Sequence, residues 1–198
     1  VSPGAAGRVS VADVEANADL IRGASVFVTQ LEQPVAAARR GLEIARAAGV
    51  TTILNPAPAA TLDDDILALC DYLTPNETET EALTGLPVTS VAEADLAAAA
   101  LLARGVGAVV ITLGENGVYY KDRTRALHQP VISAGAVVET TGAGDAFNGG
   151  FAVALSEGQD IAAALRFGCA TAGISVTRPG TAPSMPSRAE IEALLARS

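Results

Sequence analysis

Histidine and lysine are almost missing from this chain of 198 residues, and each shortage removes a class of chemistry. His128 is the one histidine, so a multi-histidine metal site is excluded and a Ser-His-Asp set has a single candidate base. Lys121 is the one lysine, which leaves a lysine-based phosphate clamp only one candidate. With these bases so scarce, carboxylates become the default proton acceptors. Cysteine is nearly as rare. Cys70 and Cys169 form no metal-ligand spacing and no secreted disulfide framework, and read as small buried hydrophobes of a reducing cytosol. Long apolar runs are absent: Leu96–Ala103 ends at Arg104 and Gly105, well short of the roughly 18 residues of a membrane span. The first residues lack the basic start and apolar block of a secretory signal. No membrane partner is expected, and the expected compartment is the cytoplasm. The chain also lacks an initiator methionine; beginning at Val1, it is expected to be a processed, truncated or partial product.

Positive charge is short overall. The net charge of −9 argues against nucleic acid held by a general basic field. A phosphate site must then be local, built from backbone N–H groups or single arginines. Hydrophobic residues make up 49% of the chain, enough for a packed core, and the length suits a single domain over residues 1–198.

What is present is an alternation of helix and strand. Helices are expected at Val11–Arg22, Pro34–Ala48 with Pro34 in the first turn, Asp63–Leu69, Asn76–Leu83, Val91–Arg104, Ala143–Ser156, Asp160–Thr177 and Ser187–Arg197. Strands are expected at Ser25–Thr29, Thr51–Leu54, Tyr72–Leu73 and Ala108–Thr112. A hairpin of Gly117–Lys121 and Arg125–Gln129 follows, then a short strand at Ala136–Val138. This order predicts an α/β fold of three layers, a mostly parallel sheet with helices on both faces and late antiparallel strands. Ligands bind such sheets beyond the carboxyl ends of the strands, where Glu32, Asn55, Asn76, Thr112 and Gly142 fall.

The segment Glu139-Thr140-Thr141-Gly142-Ala143-Gly144-Asp145 carries the most chemistry. Gly142 and Gly144 allow a tight turn with backbone close to a ligand. The turn delivers a helix N-terminus, whose N–H groups and dipole favour an anion. Asp145 sits in the first helical turn, where a carboxylate is stabilised and can accept a proton from a ligand hydroxyl. Phe147 stands where a dinucleotide fingerprint needs its third glycine, and no lysine-bearing phosphate loop occurs. Taken alone, the segment reads equally well as an ordinary helix cap. Asn76 and Glu79, three residues apart, likewise read as a capping box.

The string Thr140-Thr141-Gly142-Ala143-Gly144-Asp145-Ala146-Phe147-Asn148-Gly149-Gly150 resembles the C-terminal signature of the ribokinase-like, PfkB-type carbohydrate kinases. Leu54–Ala59, Thr74–Glu79, Thr112–Gly114 and Val176–Ser184 resemble further family motifs in family order. The resemblance covers the C-terminal two-thirds of a family member; the first strands of the sheet, the β lid and the early sugar-gripping residues have no counterpart here. It implies ATP-dependent phosphorylation of a sugar primary hydroxyl, D-ribose to D-ribose 5-phosphate above others. Fructokinase, 2-keto-3-deoxygluconate kinase and a truncated, non-catalytic nucleotide-binding remnant stay open.

Residue by residue, the resemblance implies Asp145 as the base and the N–H groups of Gly142, Ala143 and Gly144 as an anion hole. It implies nucleotide contacts by Asn76, by Thr112, Leu113, Gly114, Glu115, Asn116 and Gly117, by Gly144 and Asp145, and by Cys169, where the family often has His or Asn. Glu32 would contact the sugar together with Asp145. Glu79 would serve Mg²⁺ through water. Glu139, Thr141, Ser175, Arg178, Gly180 and Ser184 match a K⁺ site, several through backbone carbonyls, with Glu139 in place of the usual Asp. The partners implied are ATP and a small sugar, with a homodimer in the full-length protein.

Overall fold

The computed structural model describes residues 4–198. Six strands form one sheet in the order β1-β2-β3-β4-β5-β6: β1 Val26–Thr29, β2 Thr51–Leu54, β3 Tyr72–Leu73, β4 Ala108–Thr112, β5 Val118–Lys121 and β6 Ala126–Gln129. The first four are parallel, with Val26 opposite Thr51, Ile53 opposite Tyr72, and Tyr72 opposite Ala108. Each parallel step needs a crossover. These are supplied by α3 (Val35–Ala47), by α4 (Asp64–Leu67), and by α5 (Glu77–Thr84) with α6 (Val91–Ala103). Four residues join the adjacent β5 and β6, a connection short enough only for an antiparallel hairpin. The sheet is therefore mixed, as the alternation predicts.

The chain divides into two compact units. The first holds the residues up to Ile111 together with Tyr120–Ala126. Its core is the β-branched and aliphatic strand set Ile53, Leu54, Leu73, Val109, Val110 and Ile111, all fully buried, with Leu42, Leu67 and Leu101 from the helices. Helix α6 buries Ala94, Ala97, Ala98 and Leu101, a spacing that lines one face of a helix. Inward alanines let α6 approach closely. Asp71 clamps the start of β3 to β2: its carboxylate accepts from the Thr52 N–H (2.9 Å), and its own N–H donates to Thr52 Oγ1 (2.8 Å).

The second unit holds Thr112–Tyr119 and Leu127–Ser198. Here α7 (Ala143–Ser156) packs on α8 (Ile161–Ser175), and α8 on α9 (Arg188–Leu195). The α7–α8 approach depends on two glycines. A Cβ at Gly150 would stand 2.4 Å from Thr171 Oγ1, and one at Gly168 would stand 2.7 Å from the Phe147 ring.

Three expectations need correction. The helix over Val11–Arg22 is two pieces, α1 (Val11–Ala16) and α2 (Ala18–Arg22), broken at Asn17 with ψ of 17°. Pro34 is the N-cap of α3 and stands outside its first turn. Residues Ala136–Val138 form no strand. The N–H groups of Val138 and Glu139 both donate to the Val176 carbonyl at the end of α8, so the segment is tied to a helix end where a strand ladder was expected.

Candidate active site

Helix α7 begins as the sequence suggests. Gly142 is its N-cap with φ +80°, a conformation that glycine adopts freely and other residues resist. Thr181 stands 3.4 Å from where a Gly142 Cβ would be. Gly144, by contrast, lies within the helix and has open space around its Cβ position. The turn rests on Gly142 alone, and the bareness of Gly144 leaves the first helical turn uncovered. Gly144 and Asp145 are both exposed. The Ala143 N–H turns back to the Thr140 carbonyl (3.1 Å). Buried Asn148, one turn on, donates to the Gly144 carbonyl (3.0 Å) and stiffens the start of the helix.

The loop before α7 is joined to the loop after α8. The Glu139 carboxylate accepts from the Gly180 N–H at 2.7 Å. That bond, with a second from the Thr141 side chain, holds the Glu139 carboxyl below its ordinary range. The Glu139 side chain thus bridges the two loops. Ser175 and Ser184 are buried, and their hydroxyls donate to the carbonyls of Ala172 (2.9 Å) and Thr181 (2.6 Å). The Arg178 guanidinium pairs with Glu190, so it points to α9. Among these positions the structure joins Glu139, Thr141 and Gly180 directly.

Residues Thr112–Gly117 make a tight turn between β4 and β5. The Leu113 N–H donates to the Gly117 carbonyl (2.8 Å), and Gly114 and Gly117 have φ of +53° and +86°. Gly114, Glu115 and Asn116 are exposed at its tip. His128, which sequence reasoning used only to exclude chemistry, reaches this turn: its Nε2 lies 2.7 Å from the Asn116 carbonyl oxygen. Twelve residues separate them, and nothing in the intervening sequence marks the contact. Cys169 is buried in α8, where desolvation pushes its thiol up to about 12. Cys70 is buried likewise, and neither is in a disulfide.

Glu32, Asn76 and Glu79 belong to the first unit; the other candidate residues belong to the second. Glu32 is an exposed acid of the loop after β1. Asn55, at the end of β2, is nearly buried and donates to the Thr74 carbonyl (2.7 Å), so it ties strand ends together. Asn76 and Glu79 form a reciprocal capping box. Asn76 Oδ1 accepts from the Glu79 N–H (2.8 Å), and a Glu79 carboxylate oxygen accepts from the Asn76 N–H (2.9 Å).

Glu79 is buried, and loss of water pushes its carboxyl above the ordinary 4.5, only partly offset by the Asn76 N–H. A carboxyl with a raised folded pKa contributes stability that is complete below its unfolded pKa. That stability is lost as pH rises through the folded value. Glutamine keeps an acceptor for the Asn76 N–H and carries no charge. Glu79→Gln is therefore expected to raise the melting temperature near pH 8 and leave it unchanged near pH 4. Thermal melts at the two pH values check this; an equal change at both removes the titration of Glu79 as the cause. Among the described residues no cluster of three or more His, Cys, Asp or Glu can enclose a metal, and no helix is long and apolar enough to cross a membrane.

Comparison with known proteins adds the context. A family model described as pfkB family carbohydrate kinase matches residues 4–188. A ribokinase of Haemophilus influenzae is 43% identical over 166 residues, 83% of this chain and 53% of that protein. A deoxyribokinase of Salmonella typhi is 36% identical over 180 residues, 90% of this chain and 58% of that protein. The structure of Arabidopsis thaliana ribokinase complexed with ribose and ATP matches with a TM-score of 0.90 at 34% identity, over 93% of this chain and 60% of that one. The chain thus spans little more than half the length of the curated relatives it matches. Because the family match takes in the α7 start, the β4–β5 turn and the Asn76 cap together, the chain belongs to the pfkB family of carbohydrate kinases.

Proposed function

We propose that this chain supplies the ATP-binding and phosphoryl-transfer part of a sugar kinase, D-ribose being its acceptor. The observation that carries the reading is the start of α7, where a left-handed glycine exposes the first turn of a 14-residue helix with Asp145 on it. First-turn N–H groups have no intrahelical acceptor, and they face developing negative charge. Because Ala143 donates to Thr140, the anion hole is assigned mainly to the Gly142 and Gly144 N–H groups, with Ala143 joining once that bond is given up. Asp145 takes the proton of the sugar hydroxyl as the phosphoryl group arrives. Phosphoryl transfer is mainly positioning and charge stabilisation, so these few groups suffice.

ATP is assigned to the Thr112–Gly117 turn and, through packing, to the neighbourhood of Cys169. Asn76 and Glu79 offer one amide and one buried carboxylate. That set fits Mg²⁺ as an outer-shell anchor, since this ion keeps several waters and takes phosphate oxygens. When bound, Mg²⁺ neutralises charge on the phosphates. Glu32 contacts the sugar. Glu139, Thr141, Ser175, Arg178, Gly180 and Ser184 form the candidate K⁺ site, Arg178 through its backbone carbonyl, and its role is to fix the loops beside the anion hole. The Glu139–Gly180 bond supports that role, because it already joins those loops.

Turnover of ATP with D-ribose, 2-deoxyribose, fructose and 2-keto-3-deoxygluconate by the purified protein tests the reading. Ribose is expected to give the highest kcat/KM, and K⁺ is expected to raise the rate over tetramethylammonium. Nucleotide binding without phosphorylation of any of the four would overturn catalysis. A better rate with 2-deoxyribose would move the chain to the specificity named in the Salmonella relative. Equal rates in both cations would remove the K⁺ site.

A further inference from the structure

The second unit contains a cavity of about 530 Å³ that lies apart from every residue assigned above. Gln129 ends β6 and Ser133 follows it at one wall, Arg166 lies on α8, and Leu194, Arg197 and Ser198 close it at the end of α9. None of Thr112–Gly117, Glu139–Asp145 or Cys169 lines it. Its size is that of a small-molecule site.

Its charge is the unusual feature. The chain has 13 Lys and Arg and a net charge of −9, so carboxylate partners are plentiful. Most of the cations have taken one. Among the described residues only Arg8, Arg123, Arg166 and Arg197 make no ion pair with an Asp or Glu side chain. Two of these four line the same cavity, and no Asp or Glu lines it with them. Arg166 donates to the Ser198 hydroxyl (3.1 Å) and backbone oxygen (3.4 Å), which orients its guanidinium along the cavity wall. Arg197 is exposed. Each guanidinium presents forked donors matched to an oxyanion, and Leu194 offers an apolar wall.

We propose that this cavity binds a small, multiply charged oxyanion, of the phosphate or polycarboxylate class, at a site separate from the kinase chemistry. Isothermal titration of the purified protein with pyrophosphate and, separately, with citrate at constant ionic strength tests it. Saturable binding of at least one is expected. Arg166→Gln and Arg197→Gln should each weaken it by roughly tenfold or more, because each removes a charge-assisted forked contact. Arg123→Gln, which removes an unpaired arginine outside the cavity, should leave it unchanged. Binding of pyrophosphate alone identifies a phosphate-bearing ligand, and of citrate alone a polycarboxylate. Absence of saturable binding for both anions, or binding that neither cavity substitution weakens, overturns the proposal. Arg197 is exposed, so its variant decides the matter if Arg166→Gln does not fold.

Discussion

Replacing Asp145 with asparagine is expected to lower kcat by about 10²–10⁴, with KM for ATP and sugar changed far less. Asn is nearly isosteric and keeps the helix start, but it cannot take a proton. The residue is the third of α7 and exposed, so the substitution should barely move the melting temperature. Loss of the charge at a helix N-terminus costs at most about 1 kcal/mol. The pairing of a large kinetic loss with a small stability loss is what separates a proton acceptor from a helix-stabilising acid. If Asp145 serves only the helix, both effects are small. An Asn variant that turns over near the wild-type rate therefore removes the base assignment while leaving the fold intact.

Much of this was legible in the sequence, for identifiable reasons. Thr51–Leu54 and Ala108–Thr112 are short, β-branched, and bounded by Gly and Asn-Pro or Gly, so strand length and ends coincide with the structure. The Asn76 cap was readable because its two partners are three residues apart. Local spacing failed where the partner is distant. The Glu139 carboxylate finds the Gly180 N–H 41 residues on, and His128 finds the Asn116 carbonyl across a hairpin. Val137 and Val138 look like strand, yet both side chains are exposed, because their segment is held by the end of α8. Apolar periodicity also ran through Asn17, where the Asn17 side chain donates to the Asp13 carbonyl at 2.9 Å and the helix divides. In the candidate site the signature loop and its helix were visible, whereas the assignment of the tight turn to Gly142 alone required the dihedral angle.

Gly117→Ala is expected to be the most destabilising single methyl addition in the β4–β5 turn. Gly117 has φ +86° and ψ −131°, a region open to glycine and costly to alanine. A Cβ there would also stand 2.1 Å from the Gln129 carbonyl oxygen, 2.7 Å from the Pro130 carbonyl carbon and 2.8 Å from the Val131 nitrogen. All three are backbone atoms, so no side chain can rotate away, and the turn must lift from the 129–131 segment. Strain of about 1–3 kcal/mol and overpacking of about 1–3 kcal/mol add to roughly 2–6 kcal/mol. For a chain of this size that lowers the melting temperature by roughly 5–20 °C. Gly144→Ala is the contrast: helical backbone and open space make it neutral or stabilising by up to about 1 kcal/mol. The lift would carry Gly114–Asn116 with it, because Leu113 is bonded to Gly117, and would pull Asn116 away from His128. ATP binding should therefore weaken in the alanine variant even at temperatures where it stays folded. A melting temperature for Gly117→Ala within about 2 °C of wild type would show that the turn does not lie against that segment.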